Sequence, residues 1–338
     1  MLDLGASFVA SVARDPGAEA IVEGDTRLSY GDWYRRVSAA CQGLRDLNVL
    51  RDDRVVTALQ NTTEAATLHW ACQLIGAVIC PVNWRATHDE MGFFIQNTDA
   101  KAVFHDASSK TAVGQRQIPV IDVDADWQGV VGSNAPDASP TAGPDDLSLI
   151  FYTSGTTGPP KGVPRRQLAE RAAAVAHIAQ NLMPMRDRTL GVMPLYHTMG
   201  VRSLLAMTLL NGCFVCLPRF DAAAAIRLIE QVRVGSLYLV PTLYHDLLAH
   251  PDFTDADFSA TRRLGYAGAP MTDGLLARVA ATFLPDSFVN HYGSSEVYTF
   301  TIEQHAARKP GSAGKAGLNQ EIRVISLGST DPDDRVGV

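Results

Sequence analysis

Residues 152–163 read YTSGTTGPPKGV. Beyond the opening Tyr152-Thr153, six residues are Gly, Ser or Thr, and a single lysine, Lys161, follows two prolines. Ordering so many small residues costs backbone entropy. Something must offset that cost. Small residues let backbone N–H groups come close to an anion, the hydroxyls of Thr153, Ser154, Thr156 and Thr157 add donors, and Lys161 adds one compact positive charge. That is the chemistry of a polyphosphate cradle, with Gly155, Gly158 and Gly162 as its pivots. It is not the GxxxxGK[ST] loop: Gly155 and Gly158 are too close together, and Lys161 precedes Gly162 rather than Ser or Thr. A plain flexible linker would rarely be flanked by an apolar strand and a helix.

Working outward, strand-like LSLIFYT leads into the loop, and a helix is expected from about Leu168 to Leu182. Then strands TLGVMPL, CFVCLP, SLYLVP, RLGYAGA and SFVNHYG alternate with helices near Val201–Leu210, Ala222–Val232, Leu243–His250 and Gly274–Phe283. Upstream, AIVEGDTRLSY reads as a hairpin turning at Gly24-Asp25, and Ser29 with Asp32 three residues on marks a helix start. DRVVTAL, KAVFHD and IPVIDV read as strands, Glu64 to Ile79 as a mostly buried helix, and Asp124 to Asp146 as a long connection. Alternating strands and helices predict an α/β fold with largely parallel sheets. In such folds ligands sit beyond the carboxyl ends of the strands. PLYHTMG, YAGAPM and HYGSSE all fall there.

The composition sets bounds. With 338 residues, 46% hydrophobic and 19% charged, the chain is an ordinary globular protein. A net charge of −7 argues against nucleic acid or an anionic membrane as main partner. No apolar run approaches a membrane span, no secretory leader is present, and five cysteines form no disulfide framework, so a cytoplasmic setting is expected. Cys213 and Cys216 form a CxxC inside an apolar strand, where two core cysteines are expected rather than a metal site.

TSGTTGPPKG resembles the signature loop of the adenylate-forming superfamily: acyl- and aryl-CoA ligases, luciferases and peptide-synthetase adenylation domains. PLYHTMG, YAGAPM, YGSSE and KPGSAGKAG (Lys309–Gly317) follow in that family's order, and within it the chain looks most like benzoate- and chlorobenzoate-type CoA ligases. The resemblance implies the large N-terminal domain of these enzymes: two mostly parallel sheets sandwiched with helices in αβαβα layers. It divides the chain into sub-domains 1–145, 146–308 with the phosphate loop and acyl pocket, and 309–338 as the start of a truncated β-barrel. It also implies that the barrel, the ribose-binding Asp and the C-terminal lid with its Lys are missing, so the chain is expected to be a fragment, inactive or very slow alone.

The implied reaction joins a carboxylate to ATP, giving an acyl adenylate and pyrophosphate, and then to coenzyme A, with Mg2+ assisting. By this resemblance Thr153, Ser154, Gly155, Thr156, Thr157, Gly158 and Lys161 hold the phosphates, Glu296 binds Mg2+, and Ser295 contacts the α-phosphate. Gly268, Ala269 and Pro270 form the adenine-side loop, Tyr292 stacks on the base, and His291 and Gly293 flank it. His197 lines the carboxylate pocket and affects access to it. Lys161, Glu296, Ser295 and His197 are thus the catalytic set. Pocket candidates are His197, Thr198, Met199, Tyr238, Ala269, His291, Gly293 and Tyr298, any of which by itself also reads as ordinary core. Two tyrosines favour a flat aromatic or cyclic acid such as a benzoate. A medium-chain fatty acid and a non-catalytic adenylate- or acyl-binding module remain alternatives, and an isologous dimer is the default assembly.

Overall fold

The computed structural model describes residues 2–131, 135–153, 159–331 and 333–334. In chain order its strands are β1 (Glu19–Glu23), β2 (Thr26–Ser29), β3 (Arg54–Ala58), β4 (Val78–Pro81), β5 (Ala100–His105), β6 (Val120–Asp122), β7 (Leu147–Thr153) and β8 (Lys161–Arg166). There follow β9 (Arg188–Gly191), β10 (Cys213–Cys216), β11 (Ser236–Leu239), β12 (Arg263–Tyr266), β13 (Ser287–Tyr292), β14 (Thr301–Glu303) and β15 (Lys315–Ala316). Among the described residues they form two sheets. One is ordered β15-β14-β13-β12-β11-β9-β10-β1-β2, the other β6-β5-β3-β4-β7-β8. From β13 to β1, and from β6 to β7, every pairing is parallel; antiparallel pairs occur only at the edges. The expected α/β fold with two mostly parallel sheets is therefore present.

Three apolar clusters define five layers. The largest holds Phe8, Trp33, Trp70, Leu204 and Phe214 and fills the helical layer between the sheets. A second lies against the outer helices Ala222–Val232, Pro241–Ala249 and Asp273–Phe283, and a third against helix His88–Asn97. Strand β10 shows how the layers separate. Cys213 and Val215 face the outer cluster, whereas Phe214 and Cys216 face the middle one, as the period of two along a strand requires. The two cysteines of the CxxC therefore point to opposite faces and cannot share a ligand. Both are free and buried, and burial raises the thiol pKa of Cys213 to about 12.

Local chemistry explains most boundaries. Ser29 and Asp32 close a capping box on helix Tyr30–Asp46, as their spacing predicted. The helix expected over 64–79 stops at Ile75, because Gly76 takes φ 76°, and β4 follows. The connection expected over 124–146 begins instead as helix Val123–Val130, started by Asp122, whose side chain accepts from Asp124 N; Val123 and Trp127, one turn apart, are buried. Helices Leu4–Arg14, His88–Asn97 and the short Lys110–Val113 were not anticipated. Nor was β8, expected to be loop and helix start.

The sheets also share the chain unevenly. The β1–β2 hairpin joins the nine-stranded sheet beside β10, while β7 and β8 complete the six-stranded one, so no single cut near residue 145 separates the two.

Candidate active site at the meeting of the two sheets

The cradle loop sits at the tip of a hairpin. Thr153 pairs with Lys161 and Tyr152 with Gly162 across antiparallel β7 and β8. Ser154, Gly155, Thr156, Thr157 and Gly158 lie outside the described residues. The pairing still fixes both ends of their loop, with Lys161 exposed at the start of an edge strand. Pro164 is tolerated in β8 because an edge strand need not donate on both sides.

The hairpin reaches the other sheet through Arg165. Its Nη1 donates to the backbone carbonyl of Glu296, in the turn after β13. Glu296 is exposed, and its carboxyl is held below the usual range by the Ser294 side chain first, then by its own backbone N–H, with the Lys161 charge also lowering it. The bond from Arg165 thus brings the β7–β8 hairpin of one sheet, which begins its second strand at Lys161, against the turn of the other sheet that carries Glu296. Ser295 is partly buried in the same turn. That turn is tight: a Cβ on Gly293 would lie 1.6 Å from the Tyr298 carbonyl oxygen. Tyr298 itself takes φ 72°, a conformation in which a bulky residue is strained.

Alternation along β13 sends neighbours apart. The Tyr292 ring is 57% exposed and tilts against Phe300, whereas His291 points inward. His291 Nε2 lies 3.1 Å from Asn181 Oδ1, and burial lowers its pKa to about 3, so the ring is neutral. It borders Tyr238 and His177, with ring centroids 5.1 and 5.2 Å away. Tyr238 fits over β12 because residue 265 is glycine; a Cβ there would meet its ring at 3.0 Å. Gly268, with φ 83°, Ala269 and Pro270 form an exposed loop after β12.

His197 precedes helix Thr198–Leu209 without capping it. Its ring is exposed but rests on Tyr196 at 4.5 Å, and local crowding lowers its pKa. Thr198 is partly buried, and Met199 is buried in the outer apolar cluster. A residue with no motif signal anchors this loop. Buried Asn61, from beyond β3, donates to the carbonyls of Gly191 and Met193 and accepts from Leu195 N.

Beside Glu296 opens a cavity of about 260 Å3. One wall is the small-residue face of helix Gln167–Gln180: Ala169, Ala172, Ala173 and Ala176. Tyr298, Thr299, Arg165 and Arg202 form the polar side, and residues 318–320 close it. Gln180 pins that last segment by accepting from Leu318 N at 2.6 Å. Of the sequence candidates, Glu296 and Tyr298 line this space. Tyr238 and His291 stand behind it near Arg202, whose charge acts on both. His197, Met199 and Ala269 are not among its lining residues. Arg165, Glu170, Arg202 and Thr299 were missed. The alanine stripe at i, i+3, i+4 and i+7 was the available signal, but such a stripe reads first as helix packing.

The fold is that of a five-layered α/β domain whose β7–β8 hairpin is bonded to the turn carrying Glu296. The sequence matches the AMP-binding enzyme family over residues 8–338, and the chain belongs to that family. It is 31% identical over 331 residues to a feruloyl-CoA synthase from Amycolatopsis sp, covering 95% of this chain and 66% of that protein. It is 28% identical to a 4-chlorobenzoate–CoA ligase from Arthrobacter sp, covering 94% and 62% respectively. A solved fatty acyl CoA synthetase from Mycobacterium tuberculosis superposes with a TM-score of 0.90 at 26% identity, over 99% of this chain and 68% of that one. The chain thus spans about two thirds of the length of the curated relatives it matches. Among the described residues no helix is long and apolar enough to cross a membrane, and no group of three or more His, Cys, Asp or Glu is arranged to hold a metal ion.

Proposed function

We propose that this chain carries the carboxylate-activating part of an AMP-forming acid–CoA ligase acting on an aromatic or cyclic acid. The observation that carries this reading is the bond from Arg165 of the β7–β8 hairpin to the Glu296 carbonyl, which sets the hairpin against the turn after β13 beside a cavity large enough for a ring. An apolar cavity of about 150 Å3 can hold benzene.

The first step brings two anions together: a carboxylate oxygen attacks the α-phosphorus of ATP, and pyrophosphate leaves. Lys161 and the loop from Thr153 would neutralise the β- and γ-phosphates. Ser295 would donate to the α-phosphate. Glu296, ionised and exposed, is a single carboxylate, which fits Mg2+ carried largely by phosphate oxygens. Glu296 would hold the ion, whose charge would offset that of the phosphates. Tyr292 would offer its exposed face to adenine, against the loop of Gly268, Ala269 and Pro270. The acyl group would extend past Tyr298, with His197 at the approach to it. In the second step the thiol sulfur of coenzyme A attacks the acyl carbon, AMP leaves, and the thiol proton is lost. The feruloyl and chlorobenzoate specificities of the two relatives support an aromatic acid; the fatty acyl CoA synthetase keeps an alkyl acid as the competing substrate.

The test is thermal stabilisation by benzoyl- and octanoyl-sulfamoyl adenosine, non-hydrolysable adenylate mimics. A ligand at 100 times its Kd stabilises by about 2.7 kcal/mol. A larger rise in Tm with the benzoyl compound is expected. A larger rise with the octanoyl compound would move the substrate to a medium-chain fatty acid, and no rise with either would overturn the adenylate site. Release of ADP instead of AMP and pyrophosphate would overturn the reaction class.

A further inference from the structure

The buried end of the cavity has one cation too many. Arg165, Glu170, Arg202 and Tyr298 are 9%, 0%, 2% and 5% exposed. Glu170 spends both oxygens: Oε1 accepts from Arg165 Nε at 2.6 Å, and Oε2 accepts from the Tyr298 hydroxyl. Arg202 has no such carboxylate. Its Nη1 donates to Thr299 Oγ1 at 2.8 Å, and its Cζ lies 4.4 Å from the Tyr298 ring centroid. Its Nε is buried and has no acceptor among the described residues. The neighbouring rings do not supply a negative charge: His177 and His291 are held neutral by burial, with the Arg202 charge adding to that effect.

A buried guanidinium without a counter-charge is costly, and an anion placed against it recovers part of that cost. Thr299 takes Nη1 and Tyr238 also hydrogen-bonds to the guanidinium, so the donor left without an acceptor among the described residues is Nε, on the lateral edge of the planar fork that suits a carboxylate. Arg202 lines the same cavity as Glu296 but is buried where Glu296 is exposed. The reacting carboxylate belongs at the Glu296 end, beside the phosphates.

Building on the ligase reading above, we infer that Arg202 is a specificity-determining residue that receives a second carboxylate, at the far end of the acid being activated. The preferred substrate class is then a compact dicarboxylic acid, one carboxylate reacting at the phosphates and the other held by Arg202.

The experiment compares three sulfamoyl adenosines on the full chain: benzoyl, 4-carbamoylbenzoyl and 4-carboxybenzoyl. Calorimetry should show the carboxy compound binding at least tenfold tighter than either other. Arg202→Met should bring the ratio of carboxy to carbamoyl affinity down to about one, and Arg202→Lys should keep part of that preference. Equal binding of the carboxy and carbamoyl compounds by the wild-type chain would overturn the anion assignment, with no variant needed. A preference that survives in a folded Arg202→Met chain would overturn the role of Arg202. Binding of none of the three would instead overturn the adenylating reading, and this inference with it.

Discussion

At one end of the middle helical layer Phe8 stacks on Trp70 with centroids 4.9 Å apart, and Trp33 meets both edge-on. At the other, both the Arg165 and Arg202 guanidinium groups lie over the Tyr298 ring, and Glu170 is fully buried beneath. Helix Gln167–Gln180 and helix Thr198–Leu209 belong to the same layer as the aromatic end, and burial is nearly complete at both. The apolar end is held by area and shape, which any well-fitting side chains supply. The polar end is held by a charge balance that depends on every member, because an unpaired buried charge is expensive. The polar end is also the one that meets the cavity, Glu296 and strand β8.

The largest expected effects test this contrast directly. Glu170→Ala strips buried Arg165 of its carboxylate and should cost about 3–5 kcal/mol in urea unfolding. Trp70→Ala should cost a similar amount, about 3–5 kcal/mol, through its cavity. The two differ in rescue. Arg165→Met combined with Glu170→Leu removes the ion pair together and should recover most of the loss, whereas no second change in the polar cluster should rescue Trp70→Ala. Failure of the paired change to recover stability would make the polar end a matter of shape as well.

Lys161→Ala should slow adenylate formation by about 10²–10³-fold, the cost of losing one fixed donor to developing charge, and leave Tm within a degree or two because Lys161 is exposed. A large fall in Tm would mean that the hairpin tip is structural. Tyr298→Phe deletes the donor to buried Glu170 and should cost about 1–3 kcal/mol, measured by the same unfolding curves; no loss would show that the carboxylate finds another donor.

The last test is graded by pH. His69, at the aromatic end, and His291, at the polar end, both have folded pKa values lowered to about 3. The unfolded chain therefore binds the extra protons, and stability falls as pH drops below about 6.5. Each histidine contributes about 1.4 kcal/mol per pH unit between there and its folded pKa. NMR titration should find neither ring protonating between pH 7 and 5. Titration of His291 alone would show water reaching the polar end.

Much of the fold was legible. From β9 to β13 the strand–helix alternation matches what the structure contains, and Ser29 with Asp32 marked a real helix start. Strand β8 was hidden because KGVPRR carries Gly, Pro and three charges; it becomes a strand by bonding to β7. The β1–β2 hairpin was visible, but not its place beside β10, a partner nearly two hundred residues away.

The site divides in the same way. Lys161 stands in a loop whose residue types suggest a phosphate cradle, and Ser295, Glu296 and Tyr292 stand in compact motifs whose resemblance to the family's was enough to nominate them. Arg165, Glu170 and Arg202 are charged residues with no motif around them, and such residues read as solvated helix or loop faces. Only the tertiary structure buries them, because burial here results from two sheets meeting across the middle layer. Local sequence can specify a loop that binds phosphate, since backbone and side-chain donors lie within a few residues. The balance of charge in a closed space depends on which distant segments close it, and that was decided by the packing of the whole chain.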